Sequence, residues 1–243
     1  MLEAVTAKLT PYGISGAYPH PTPCSSYVLE VGDMALVMDL GSGSLYELLK
    51  DYYLADLRHV FISHFHHDHS SDLGSLLYTR ILHPELPSFN LYTPPDEGLL
   101  EELARRPGVR HHVIRENEGI TIGEMAISFL RTNHPEECYA IKVQMGDKTL
   151  VYGADGAYSK EFSRFCKDVD LLILEYSLFK YPVGDSGHMD EISIVKLLRE
   201  SQPKRTLLTH LWRDEEPEFL LEAITSEVDL QVEIIQWKKP YQL

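Results

Sequence analysis

Short apolar runs alternate with stretches of helical spacing along the 243 residues of the chain, and turn-forming residues separate them. Met34 to Met38 (MALVM) reads as a buried strand closed by the turn stretch DLGSGS, and a helix is expected from about Leu45 to Tyr53. His59 to Ser63 (HVFIS) reads as the next strand and Leu91 to Thr93 as a shorter one. Asp96 to Arg106 has the pattern of a helix opened by Pro94-Pro95. The texture then changes. Met125 to Leu130, Cys138 to Gln144 and Thr149 to Gly153 read as consecutive strands, the last two joined by the turn MGDK. Leu171 to Glu175 (LLILE) is a strongly apolar strand. Asp190 stands where it can cap a helix whose apolar positions Ile194, Leu197 and Leu198 recur at helical spacing. Thr206 to Thr209 (TLLT) is another strand, ending at His210. The pattern is mixed α and β, and the meander in the middle argues against an all-parallel sheet. Two packed sheets with helices outside fit it better, and the length suits one large domain or two small ones.

Charge narrows the partners. Lys plus Arg is 22 and Asp plus Glu is 37, a net charge of −15. A protein that grips a long polyanion ordinarily carries a basic face. Here the basic residues are scattered, as in Arg105-Arg106 and Lys238-Lys239, so long nucleic acid is disfavoured. No apolar run approaches the roughly 20 residues that span a bilayer, so no membrane association is expected. MLEAVTAKLTPYG lacks the basic-then-apolar order of a signal peptide. The three cysteines, Cys24, Cys138 and Cys166, are far apart and odd in number, which fits a reducing, cytoplasmic setting better than a disulfide framework.

The chemistry concentrates in ISHFHHDHSSD, residues 62–72, where His64, His66, His67, Asp68 and His69 follow directly on a buried strand. Loops at strand ends are where rigid scaffolds present reactive groups. Imidazole and carboxylate are ligands that zinc favours and that manganese and iron accept. One tetrahedral ion takes about four donors. The loop could therefore serve two metals if other segments complete each set. Other strand ends carry such residues: Asp39 after MALVM, His134 in RTNHPEECYA, Asp155 in LVYGADG, and His210 closing TLLTH. A lone histidine or aspartate at a strand end is ordinarily an exposed or turn residue. The recurrence at several ends, beside one dense cluster, is what points to a metal site.

With HFHHDH and these outlying positions in order, the chain resembles a metallo-β-lactamase-fold hydrolase. That resemblance implies a single domain over residues 1–243 with an α/β fold (α+β by some schemes), a four-layer αβ/βα sandwich of two mixed sheets with helices on the outer faces and the metal site at one edge. It implies that His64, His66 and His134 hold a first metal, that Asp68, His69 and His210 hold a second, and that Asp155 bridges the two. Asp39 would stand behind them, orienting a ligand histidine. Two divalent ions are expected, zinc first, with manganese or iron as alternatives.

The fold hosts several hydrolytic chemistries, so the branch must come from other residues. No cysteine stands at a ligand position, which favours a balanced two-metal site over a thiolate-containing zinc β-lactamase. LILEYSLF, then SGHMDEISIVKLLRE, then TLLTHLW resemble ribonuclease Z and the small bacterial phosphodiesterase-like hydrolases related to it. There a glutamate ending a buried strand pairs with a histidine before the next helix; carried over, these are Glu175 and His188. Phosphodiester hydrolysis needs an activated water, neutralised phosphoryl oxygens and a proton for the alkoxide. Two metals sharing a hydroxide can supply the first two. His188, held by Glu175, suits the third, a task worth roughly 10²–10⁴-fold. Taken alone, His188 is equally a loop histidine and Glu175 a strand-end charge. Asp68 counts with them among the catalytic residues.

The early loop PHPTPCSSYVLE has no Lys or Arg, and no basic glycine-rich arm is visible, unlike ribonuclease Z. HPEECYA echoes the compact relatives instead. The expected function is a binuclear phosphodiesterase on a small substrate, a cyclic nucleotide or a short nucleotide end. A thioester, lactone or β-lactam hydrolase, a ribonuclease Z-like RNA 3′-processing nuclease and a non-catalytic metal-bound sensor or scaffold are the alternatives. A homodimer is compatible with the family. Of the weaker signals, DLGSGS reads as a plain turn rather than a phosphate cradle, and His67 as pocket-lining or solvent-facing. His111-His112 read as exposed. Tyr18 and His20 are candidates to border the site, and Phe179, Tyr181 and Pro182 to form a lip before His188.

Overall fold

A computed structural model describes residues 6–96, 98, 108–177, 187–211 and 217–243. The chain divides into two compact units. One comprises Ala7–Ile114 with Trp237–Gln242, and the other is built on Arg115–Gln236.

The first unit holds a seven-stranded sheet in the order β14-β1-β2-β3-β4-β5-β6. Its strands are β1 (Ala7–Gly13), β2 (Ser26–Val31), β3 (Met34–Met38), β4 (His59–Phe61), β5 (Phe89–Thr93), β6 (Val109–Val113) and β14 (Tyr241–Gln242). β1, β2 and β3 are antiparallel, and β3 to β6 are parallel. Parallel neighbours need crossover connections. These carry α1 (Ser44–Leu48) between β3 and β4, and α2 (His67–Ser70) and α3 (Leu73–Leu82) between β4 and β5. The apolar faces of these helices close on the sheet in one core that includes Val37, Leu48, Val60, Leu73, Leu77 and Leu91. α1 is shorter than the helix expected over Leu45 to Tyr53. Beyond Leu48 the chain runs through turns, with Tyr53 N–H on Asp56, a local side-chain bond that competes with helix. The helix expected over Asp96 to Arg106 falls mostly outside the described residues.

The second unit repeats the plan: a seven-stranded sheet in the order β13-β12-β11-β10-β9-β8-β7. Its strands are β7 (Gly119–Ile122), β8 (Met125–Arg131), β9 (Tyr139–Met145), β10 (Lys148–Tyr152), β11 (Leu171–Glu175), β12 (Arg205–Thr209) and β13 (Gln231–Ile234). β7 to β10 form the antiparallel meander, and β10 to β13 are parallel. Crossover helices α4 (Lys160–Phe165), α5 (Glu191–Ser201) and α6 (Pro217–Thr225) join the parallel strands. Every residue of β11 is buried, as expected of a central parallel strand covered on both faces. α5 starts where Asp190 accepts the Ser193 N–H at 2.7 Å, and it buries Ile194, Leu197 and Leu198.

In each unit the carboxyl ends of the parallel strands open into loops. Asp39, His210 and Ala154 (the residue before Asp155) turn there through left-handed conformations, with φ of 63°, 58° and 51°. Such backbone is costly for non-glycine residues and concentrates where side chains must be aimed.

Candidate metal centre

In the first unit, β3 and β4 run parallel with Met38 opposite Phe61, and Asp39 N–H continues the ladder to the Phe61 carbonyl. This register lays Asp39 beside Ser63. Asp39 is fully buried and accepts three hydrogen bonds: Ser63 N–H at 2.7 Å, Ser63 O–H at 2.8 Å and His69 Nδ1–H at 2.7 Å. With its Nδ1 proton committed to Asp39, His69 presents Nε2 as an electron-pair donor. Asp68 Oδ2 lies 3.7 Å from that nitrogen. Nε2 of His64 and Nδ1 of His66 face each other at 3.1 Å. His64, Asp68 and His69 are buried, His66 is half-buried and His67 faces solvent.

The turn after β3 clasps this loop. Leu40 N–H bonds to His69 C=O, Asp72 N–H to Leu40 C=O, and Leu45 N–H to Asp72 at 2.9 Å. A Cβ on Gly41 would lie 2.0 Å from the Asp68 carbonyl oxygen, so only glycine admits the approach. DLGSGS is therefore a structural turn whose amides at Asp39, Leu40, Gly41 and Ser44 bond within the protein. The early loop does reach the cluster: Ala17, at φ 57°, donates its N–H to Asp68 Oδ2 at 2.7 Å. Tyr18 and His20 on that loop are exposed.

The second unit brings together His134, Asp155, Glu175, His188 and His210. His134 follows β8 and donates Nδ1–H to the Gly187 carbonyl at 2.9 Å, leaving Nε2 as the donor atom. Ligand atoms of His134 and Asp155 lie within 4.8 Å of each other, as do those of Asp155 and His210. Glu175 ends β11 opposite Thr209 of β12, so His210 comes next to Ser177 across the sheet. The buried Glu175 carboxylate accepts Gly156 N–H at 2.7 Å, the Ser177 hydroxyl, and His188 Nδ1–H at 3.1 and 3.0 Å. Ser177 Oγ in turn lies 2.7 Å from His210 Nδ1. The His188 ring is half-buried, edge-on to His134 at 5.2 Å and stacked on His210 at 6.0 Å.

Each set is rich in carboxylates shielded from water and in imidazoles whose donor nitrogen is fixed by a neighbour. Buried carboxylates require compensating charge. Imidazoles with a committed Nδ1 proton suit a divalent cation. The donors present fit such an ion. Cys24 and Cys166 do not compete for it. Burial and the nearby Asp68 charge push the Cys24 thiol up to about 12, and burial raises that of Cys166 further.

Ser63, Ser177, Gly187 and Ala17 are contributors that the pattern of ligand-type residues did not reveal. Ser63 and Ser177 each lie two residues past a strand, a position that is a weak signal without its partners. Ala17 acts through a backbone amide. His111 is half-buried rather than exposed, because its Nε2 meets Thr93 Oγ1 at 2.8 Å, while His112 is exposed. Phe179, Tyr181 and Pro182 lie outside the described residues.

The chain belongs to the beta-lactamase superfamily: the family model described as beta-lactamase superfamily domain matches residues 45–211. Its fold is the metallo-β-lactamase fold, and it is a metallo-hydrolase of that family carrying His/Asp clusters suited to metal. Probable metallo-hydrolase YhfI of Bacillus subtilis (strain 168) is 32% identical over 211 residues, 84% of this chain and 86% of that protein. The crystal structure of YhfI superposes with a TM-score of 0.92 at 27% identity, covering 98% of this chain and all of that one. Human tRNase Z, short form, shares the fold with a TM-score of 0.75 at 19% identity, over 96% of this chain and 98% of its own. A diphosphatase from the PhnP family does so with a TM-score of 0.78 at 14% identity, over 98% and 97%. Among the described residues no helix is long and apolar enough to cross a membrane.

Proposed function

We propose that the two donor sets serve one pair of divalent metal ions in a single-domain enzyme, and that the chain hydrolyses a small phosphodiester. The observation that carries the phosphodiester reading is the His188–Glu175 contact, with Nδ1 3.1 and 3.0 Å from the two carboxylate oxygens. Donor arithmetic supports the pair of ions. His64, His66 and His134 make one set of three, and Asp68, His69 and His210 another. Asp155, shared between them, would bring each to the four that a zinc-like ion takes. Zinc is the first choice, with manganese or iron accepted by the same donors. When bound, the ions supply an activated water and positive charge at the phosphoryl oxygens.

The chain's own residues do the rest. Glu175 holds the Nδ1 proton of His188, so the imidazolium form carries its transferable proton on Nε2. That proton goes to the departing alkoxide oxygen, and the neutral ring remains anchored on Glu175 for the next cycle. Asp68, fixed by the Ala17 amide, stays oriented as a donor. Fold neighbours named for a tRNase and a diphosphatase are consistent with phosphorus chemistry. The net charge of −15 disfavours a long nucleic acid and favours a small substrate.

The test is hydrolysis of bis(p-nitrophenyl) phosphate, and of a phosphodiester with an alkyl leaving group, by protein reconstituted separately with zinc and manganese. Turnover should vanish with a chelator and in His66→Ala. His188→Ala should lower the rate on the alkyl ester by about 10²–10⁴-fold, and much less on the nitrophenyl ester, whose leaving group needs no proton. Metal-loaded protein that turns over neither ester, but cleaves a thioester, lactone or β-lactam unaffected by His188→Ala, would overturn the reading.

A further inference from the structure

Two buried serines that take no part in the proposed reaction each stand between a carboxylate and a histidine, one in each unit. Ser63 Oγ is 2.8 Å from Asp39 Oδ2 and 3.0 Å from His64 Nδ1. Ser177 Oγ bonds to Glu175 Oε2 and lies 2.7 Å from His210 Nδ1. In both cases the same carboxylate also takes the Nδ1 proton of a second histidine directly: His69 on Asp39 and His188 on Glu175. The arrangement thus occurs twice, built from different strands.

A serine hydroxyl has one proton to give, whereas an ionised carboxylate only accepts. The hydroxyl proton therefore belongs to the carboxylate, and toward the histidine the serine oxygen can only accept. The histidine must then carry its proton on Nδ1, which leaves Nε2 as an electron-pair donor. All four members of the two relays' carboxylate–serine pairs are buried: Asp39 and Ser63 at 0% exposure, Glu175 at 2% and Ser177 at 5%. Water does not compete for these bonds, and the tautomer is set by the protein. We propose that Ser63 and Ser177 are positioning residues that fix His64 and His210 in the metal-donating tautomer. Through them one carboxylate per unit orients two imidazoles at once. In the second unit this makes Glu175 common to His188 and His210, so the proton donor and a ligand are aligned by one group. The inference rests on the metal-centre reading for its consequence, though not for its hydrogen-bond logic.

The experiment compares Ser177→Ala, Ser63→Ala and Ser177→Thr with the wild type, as full chains. Two-bond nitrogen–proton spectra of ¹⁵N-histidine-labelled, metal-stripped protein report each ring's tautomer. Competition with a chromophoric chelator reports zinc affinity. In the wild type, His64 and His210 should show the Nδ1–H form. Ser177→Ala should move His210 toward a tautomer mixture and weaken zinc binding about 10–100-fold, with Ser63→Ala acting likewise on His64. Ser177→Thr, which keeps the hydroxyl, should restore both. Alanine variants that keep the wild-type ring signals and bind zinc within about twofold would overturn the inference. If only one of them folds, that one decides it. A wild type that binds no zinc would instead sink the metal-centre reading, while the ring spectra would still judge the serines.

Discussion

Gly187 adopts φ 77°, and a Cβ there would lie 2.3 Å from Pro135 Cδ and 3.1 Å from His134 Nδ1. Its carbonyl is the acceptor that fixes His134. Gly187→Ala must displace that carbonyl, so it should weaken metal retention against a chelator by about tenfold or more, beyond any loss of stability. Gly32→Ala is the control. That glycine also has positive φ, 56°, but has no atom within 4 Å of the added Cβ. It should cost about 1–2 kcal/mol of stability and leave metal retention unchanged. The thiols make a second prediction at this scale. Burial first, then the Asp68 charge, raise Cys24 from 9.0 to about 12. The neutral thiol is thus favoured in the folded state. Its contribution to stability is whole below pH 9 and is lost as the pH rises toward 12. Tyr139, raised to about 12 chiefly by burial and then by Glu137, adds to the same alkaline limb. Urea unfolding at pH 8, 9.5 and 10.5 should show stability falling only above pH 9. A thiol reagent at pH 8 should leave native Cys24 untouched and modify it after unfolding.

Among the elements, α5 connects stability to the site, because it begins just after His188. Asp190 caps it through Ser193 N–H, and Ser159 caps α4 in the same way through Phe162 N–H at 3.0 Å. Removing either cap should cost about 1 kcal/mol. Asp190→Ala should also reduce turnover of the alkyl ester, since a frayed first turn loosens His188. Ser159→Ala should leave turnover intact at equal loss of stability, measured by thermal melting beside the kinetics. Legibility differed by element. The parallel strands β3, β4, β11 and β12 were readable because central strands buried on both faces are near-continuous apolar runs. So was α5, with its aspartate cap and helical spacing. β1, β6, β7 and β14 carry mixed or alternating residues and were not. β6, whose residues alternate between half-buried and exposed, reads as polar until β5 is placed beside it. The metal-type donors were visible because His and Asp recur at strand ends. The serines that aim them were not, since a serine past a strand has no signature until the register brings Ser63 to Asp39 and Ser177 to His210.

For the molecule as a whole, each unit repeats one plan: an antiparallel meander, then four parallel strands joined by crossovers, with ligand-type residues at the carboxyl ends. On the proposed reading, each unit supplies fewer donors than two ions require, so the two donor sets are assigned to one pair of ions. The most direct test of this claim is metal analysis of stripped, zinc-reconstituted and desalted protein, comparing the wild type with His64→Ala and His134→Ala. These variants remove one donor from each unit, both assigned to the same ion. The wild type should hold about two zinc ions per chain and each variant about one. A wild type holding one ion or none, or either variant retaining two at wild-type affinity, would contradict it.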